Sequence, residues 1–116
     1  WKNRLKELLY ILENSNVNEI DVTFFGVRYR VVKNFIATSK IVWLRLGHNR
    51  ITDLNPRTSL AELSNLDLSH NKITDITPLV RLQKLTWLGL AFNHLRDLSP
   101  LHTFSKLYYI DIEGIP

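Results

Sequence analysis

Four histidines are the residues of this 116-residue chain that most readily suggest metal chemistry. His48 and His70 are 22 residues apart, so in a chain that repeats at that interval their rings could come close enough to share a metal ion. Two ligands make a poor site, and Asp67 would have to supply a third. His94 and His102 fall on other surfaces of such a repeat. We therefore predict neither a metal nor any other cofactor.

Patterns typical of catalysis are missing from the sequence. It has no cysteine, and it shows no glycine-rich phosphate loop, no His-Glu-x-x-His motif and no recognisable Ser-His-Asp arrangement. Asp67 and Asp111 would be two strands apart with Gly89 between them, which is too far for two carboxyl groups to share a proton. We predict that the protein is not an enzyme.

A 22-residue repeat determines where all of these side chains lie. Three copies share five apolar or asparagine positions, and a fourth copy begins with Leu107, Ile110 and Ile112. The shared positions are Ile41, Leu44, Leu46, Asn49 and Ile51; Leu63, Leu66, Leu68, Asn71 and Ile73; and Leu85, Leu88, Leu90, Asn93 and Leu95. Each copy continues into a return segment that contains Pro56, Pro78 or Pro100.

The spacing of these positions predicts a coil with a fixed inner side. The last two leucines of Leu-x-x-Leu-x-Leu point the same way from a short strand, and the residue between them faces out. Asn49, Asn71 and Asn93 can bond the backbone groups left unpaired where the chain bends, so they should form a buried polar ladder. Each proline fixes φ and favours a short helical turn.

This pattern resembles the leucine-rich repeat family, and its Asp-Leu-x-Pro return segment is most similar to the 22-residue bacterial class found in internalins. The resemblance covers residues 35–116. It implies an α/β solenoid, wound as a right-handed superhelix with short parallel strands on its concave face. Those strands should start near residues 41, 63, 85 and 107.

Residues 1–34 are expected to cap the first repeat. Residues 2–14 have leucines at helical spacing and predict an amphipathic helix. Apolar residues then alternate with polar ones on both sides of Gly26, which predicts a β-hairpin over 19–33. At the other end, Ile115 stands where the fourth asparagine is expected, so either more chain follows or a partner closes the end. The start at Trp1 is compatible with a processed or trimmed piece of a longer protein.

Equivalent positions of successive repeats form columns on the predicted concave face. One column contains two tryptophans and a tyrosine that the core does not need, flanked by alternating charges, and Gly47, Gly89 and Ala91 should leave room beside it. Stacking of the aromatic rings merely to cover backbone is the structural alternative. We predict binding of a protein partner through Trp43, Arg45, His48, Asn65, Asp67, His70, Trp87, Phe92, Tyr109, Asp111 and Glu113.

Charge supports a second hypothesis. The net charge is +4, and residues 1–50 contain nine basic and four acidic side chains. Arg28, Arg30 and Lys33, with Tyr29, could bind nucleic acid within a ribonucleoprotein. A third hypothesis is a structural subunit of a larger assembly. The lack of cysteine, of a signal peptide and of a membrane span favours a cytoplasmic over a secreted protein.

Overall fold

A five-stranded parallel sheet organises the computed structural model, which describes residues 19–21, 42–52, 54 and 62–115. The strands follow one another in chain order, and each pairs only with its sequence neighbours. This is the solenoid sheet expected from the repeat. The strands are β1 (Glu19–Asp21), β2 (Trp43–Arg45), β3 (Asn65–Asp67), β4 (Trp87–Gly89) and β5 (Tyr109–Asp111).

The register of β2 to β5 follows the period of the sequence repeat. Trp43 pairs with Asn65, Asn65 with Trp87, and Trp87 with Tyr109. Each strand begins two residues after the first apolar position of its copy, because the chain enters the strand through a bend in which the Asn65 and Ser64 amides both donate to the Val42 carbonyl. The columns inferred from the sequence are thus the columns of the sheet.

β1 extends the same sheet at its first edge. It runs parallel to β2, and Glu19 pairs with Trp43, so that the two strands are separated along the chain by slightly more than one repeat. The sequence placed this stretch in the first arm of a hairpin and did not predict that it would join the repeat sheet. The amphipathic helix over 2–14 and the remainder of the hairpin over 19–33 lie outside the described residues.

Leucine and isoleucine side chains fill the inside of the coil. The middle residue of each central strand points inward, and Leu44, Leu66 and Leu88 are all at most 3% exposed. Burial of one such side chain contributes about 1.5–3 kcal/mol. The buried side chains of the stacked repeats pack into one apolar core. Its other members include Leu46, Ile51, Leu63, Leu68, Ile73, Ile76, Leu85, Leu90 and Phe104.

The return segments form short 3₁₀ helices at Thr77–Arg81 and Ser99–Thr103. Pro78 and Pro100 lie in the first turn of these helices, where a proline has no hydrogen bond to lose. This is the short helical turn that the prolines predict. The third proline, Pro56, lies outside the described part of the chain.

The predicted asparagine ladder is present and buried. The Asn71 side-chain amide donates to the Leu68 carbonyl of its own repeat (2.9 Å) and to the Leu46 carbonyl of the preceding repeat (3.0 Å). Its oxygen accepts the Ile51 amide proton (3.0 Å). Asn93 repeats the arrangement one turn later. Each asparagine therefore closes its own bend and links it to the bend before.

Candidate concave-face binding site

Trp87 and Tyr109 form a stacked aromatic pair on the concave face. Their ring centroids are 5.1 Å apart and their planes differ by 9°. The pair stands on β4 and β5, whose spacing matches the thickness of stacked rings. Tyr109 is 43% exposed and Trp87 is partly exposed, so the pair presents apolar area to solvent, while Leu88, the next residue of β4, faces the core.

Asn65 interrupts the aromatic column between the two tryptophans. Its side-chain oxygen accepts a hydrogen bond from the Ser64 hydroxyl (2.8 Å). An amide is shorter than a ring, and among the described residues the ring stacked on Trp87 is that of Tyr109, on the side away from β3. Ser64 was not among the predicted site residues, and the spacing of the repeat gives no signal that it orients Asn65.

Trp43 is paired with a charge from its own strand. The Arg45 guanidinium carbon lies 4.4 Å from the centroid of the Trp43 ring, within the distance at which a cation is attracted to an indole face. The predicted column of charges therefore contacts the aromatic column directly at β2.

Asp67 and Asp111 hold equivalent places on either side of Gly89. One oxygen of each carboxylate accepts the amide proton of the residue two positions on, at 3.0 Å from Ser69 and 3.1 Å from Glu113. Such local bonds fix the carboxylates at the strand ends. Among the described residues, neither carboxylate forms an ion pair with a basic side chain. The ion pair that those residues contain joins Lys84 to Glu62, away from both aspartates.

Gly89 allows the carboxylate of Asp67 and the ring of Trp87 to meet. A methyl group added at Gly89 would lie 2.8 Å from Asp67 Oδ1 and 3.1 Å from Trp87 Cη2. The first distance is shorter than a side chain tolerates, and the second would require the Trp87 ring to shift slightly. The room that the sequence predicts beside the aromatic column is therefore bordered at Gly89 by Asp67 and Trp87.

A second aromatic row runs along the rim. The rings of His48 and His70 stack at 4.0 Å, and those of His70 and Phe92 at 4.6 Å. All three residues have φ of 54–55°, the left-handed region that favours glycine, and Gly114 follows in that conformation beneath the Phe92 ring. The repeated backbone geometry aims every ring the same way.

Face-to-face stacking does not suit a shared metal ion. The lone pairs of imidazole lie in the plane of the ring, so two parallel rings one above the other do not converge on one point. Within the described part of the chain, no three histidine, cysteine or acidic side chains are grouped for metal binding.

The structure brings the eleven predicted residues together as two adjacent rows. The face row contains Trp43, Arg45, Asn65, Asp67, Trp87, Tyr109 and Asp111, and the rim row contains His48, His70 and Phe92. Glu113 lies beside the rim row, one position before Gly114, and its backbone carbonyl accepts the Phe92 amide proton. The basic residues Arg28, Arg30 and Lys33 lie outside the described residues.

Comparison of the sequence with models of protein families agrees with the repeated bends and stacked strands. Residues 39–95 match the family model for leucine rich repeats. The chain is a leucine-rich repeat protein. A search of curated proteins returns no significant match. Among the described residues of this leucine-rich repeat protein, no helix is long and apolar enough to cross a membrane.

Solved structures show the same fold. An internalin from Listeria monocytogenes superposes with a TM-score of 0.77 at 24% identity, over 97% of this chain and 36% of its own. A leucine-rich repeat protein from Leptospira interrogans gives 0.70 at 30% identity, over 92% and 28%. An internalin C2 from L. monocytogenes gives 0.59 at 25%, over 92% and 55%. This leucine-rich repeat protein thus spans between about a quarter and about half of each of these relatives.

Proposed function

We propose that this leucine-rich repeat protein is a non-catalytic interaction module that docks a protein partner on its concave face. The observation that carries the proposal is the exposure of Trp87 and Tyr109 as a stacked pair on a face that contributes nothing to the core. Large aromatic side chains bury much area on binding with little loss of conformational freedom. The fold shared with other repeat proteins supports an interaction role over a catalytic one.

The charges on the face add selectivity. Arg45 lies toward one end, on β2, while Asp67 and Asp111 lie on β3 and β5. A partner must therefore present complementary charge in the matching order, and such complementarity sets orientation and excludes wrong partners. The rim row beside the face, with Phe92 43% exposed, widens the surface available to the partner.

The test is an affinity capture from lysate followed by mass spectrometry, with Tyr109→Ala as the variant and Tyr108→Ala as the control. Tyr108 is adjacent, is 76% exposed and carries the same side chain, but the ring stacked on Trp87 is that of Tyr109. We expect Tyr109→Ala to weaken capture of a specific partner by about 30-fold, the effect of losing about 2 kcal/mol at a hot spot. Tyr108→Ala should capture the partner like the wild type.

Equal capture by both variants would overturn the concave-face proposal. Binding of nucleic acid that falls steeply with salt and ignores Tyr109 would replace it with the basic-cap hypothesis. A solution mass well above that of one chain would support the structural-subunit hypothesis.

We place the module in the cytoplasm, because a chain without cysteine needs no oxidising compartment. Fractionation of cells that express the native gene tests this location, and recovery of the protein outside the cell would contradict it.

A further inference from the structure

We propose that the concave face recognises its partner through an arginine side chain that stacks on Trp87 and pairs with Asp67. The inference rests on the proposed function and specifies the chemistry that the face selects. The partner is a protein segment that presents at least one exposed guanidinium group.

The geometry of Trp87 leaves one place for a planar group. One face of the indole is stacked against Tyr109. The opposite face is directed toward β3, where its register partner is the short Asn65. Neighbouring strands are about 4.8 Å apart, so the next indole, that of Trp43, lies two strand spacings away. A span of two strand spacings, about 9.6 Å, is wide enough for one planar group between two parallel rings.

The charge beside this place selects a cation. Asp67 Oδ1 and the Trp87 ring edge lie within 2.8 Å and 3.1 Å of the same point above Gly89, and Asp111 holds the equivalent register position on the far side of Gly89. Asp67 and Asp111 have no ion-pair partner among the residues that the structure describes. A neutral aromatic ring placed there would leave a carboxylate unneutralised, whereas a cation satisfies both the carboxylate and the indole face.

The chain itself contains the interaction two strands away. On β2, the Arg45 guanidinium lies 4.4 Å from the Trp43 ring centroid. On β4 the equivalent pair is Trp87 and Gly89, which keeps the indole and lacks the cation. Arginine fits better than lysine, because the planar guanidinium can stack on the ring and still donate two parallel hydrogen bonds to a carboxylate.

The experiment titrates the 116-residue chain with a seven-residue glycine-serine peptide that carries one central arginine. Matched peptides carry lysine, citrulline or tryptophan at that place. The Trp87 indole and Gly89 amide signals are followed by NMR. We expect the arginine peptide to shift both signals, and the citrulline peptide, equal in shape and neutral, to bind at least tenfold more weakly.

Protein variants test the role of the carboxylate. Asp67→Asn keeps the oxygen that accepts the Ser69 amide proton and removes the charge, so it should weaken arginine binding at least fivefold. Asp97→Asn is the control. Its carboxylate accepts the Ser99 amide proton in the same way, but it lies in the return segment, so arginine binding should be unchanged.

Equal binding of the lysine, citrulline or tryptophan peptide, or wild-type affinity in Asp67→Asn, would overturn the inference. Partner capture that depends on Tyr109 but not on Asp67 would leave the concave-face proposal standing and exclude the arginine. Asp67-dependent binding of the arginine peptide without any Tyr109-dependent partner would support the recognition chemistry and count against the proposed function.

Discussion

The Asn71 side chain forms hydrogen bonds that span two repeats. It satisfies the carbonyls of Leu68 and Leu46 and the amide of Ile51, and all of these groups are buried with it. A buried polar group left unpaired costs about 1–3 kcal/mol. Among the described residues, the Leu46 and Leu68 carbonyls also accept hydrogen bonds from the side-chain amides of Asn49 and Asn93, so the Ile51 amide is the group that depends on Asn71.

We predict that Asn71→Ala lowers the free energy of unfolding by about 1–3 kcal/mol, because the buried Ile51 amide loses its partner. Asn65→Ala is the matched control, since Asn65 is partly exposed and its oxygen bonds a neighbouring hydroxyl rather than the backbone. It should cost less than about 1 kcal/mol. Urea unfolding followed by circular dichroism measures both. Similar losses in the two variants would show that the ladder is not a main source of stability.

At this scale the sequence predicted the ladder because every asparagine recurs at a fixed place beside buried leucines. It could not predict that Trp87 and Asp67 converge over Gly89, since a repeat fixes the column of a side chain and leaves its rotamer open. The sequence predicted that the rings of His48 and His70 could come close, but not that they would stack face to face with each other and with Phe92. This stacking depends on three residues with positive φ, a conformation that is uncommon for residues other than glycine.

The 3₁₀ helices are begun by aspartates that lie two residues before the first helical residue. The Thr77 hydroxyl and backbone amide hold the pKa of the Asp75 carboxyl below its usual value of 3.8. The Ser99 backbone amide, helped by its hydroxyl, lowers the pKa of Asp97 in the same way. These hydrogen bonds favour the ionised carboxylate, so they stabilise the folded state at pH values where both aspartates are ionised.

We predict a loss of stability on acidification that depends on these two groups. A carboxyl whose folded pKa is lowered stabilises the fold above its unfolded pKa, and this contribution is lost as the pH falls below 3.8 and through the folded value. The double variant Asp75→Asn and Asp97→Asn should lose less stability than the wild type between pH 6 and pH 3. Urea unfolding at both pH values measures the difference. If the double variant and the wild type lose the same stability, Asp75 and Asp97 are not the source of the acid sensitivity.

The elements show where sequence reasoning reached its limit. Prolines and leucines at regular spacing predicted the return helices and the strands of the four repeats. β1 was not predicted as a member of the parallel sheet, because its alternating apolar residues fit a hairpin arm equally well and its separation from β2 does not match the repeat. Alternation of apolar and polar residues predicts a strand, but it does not show which other strand that strand pairs with.

Across the whole molecule, stability comes from contacts between adjacent repeats. Leu88 lies in the fourth of five strands and is fully buried, whereas its register partner Ile110 in β5 is only partly buried. In a stack of this kind each repeat contacts only its neighbours. The inner repeats are therefore packed from both sides.

We predict that Leu88→Ala lowers the free energy of unfolding by about 2–5 kcal/mol, the cost of a cavity in a packed core. Ile110→Ala, at the same register position one strand further, should cost clearly less, because its site is already half open. Equilibrium urea unfolding of both variants provides the comparison. A larger loss for Ile110→Ala would contradict stabilisation by neighbours on both sides.

The hydrogen-bond pattern that Asn71 and Asn93 share also makes the protein extensible. Copying residues 63–84 would insert one further rung with its own asparagine, strand and return turn, and would lengthen the concave surface by about 4.8 Å without any redesign of the interior. Duplication within the gene can therefore enlarge the concave binding surface in equal increments. Single substitutions of the outward side chains can change which partner that surface binds.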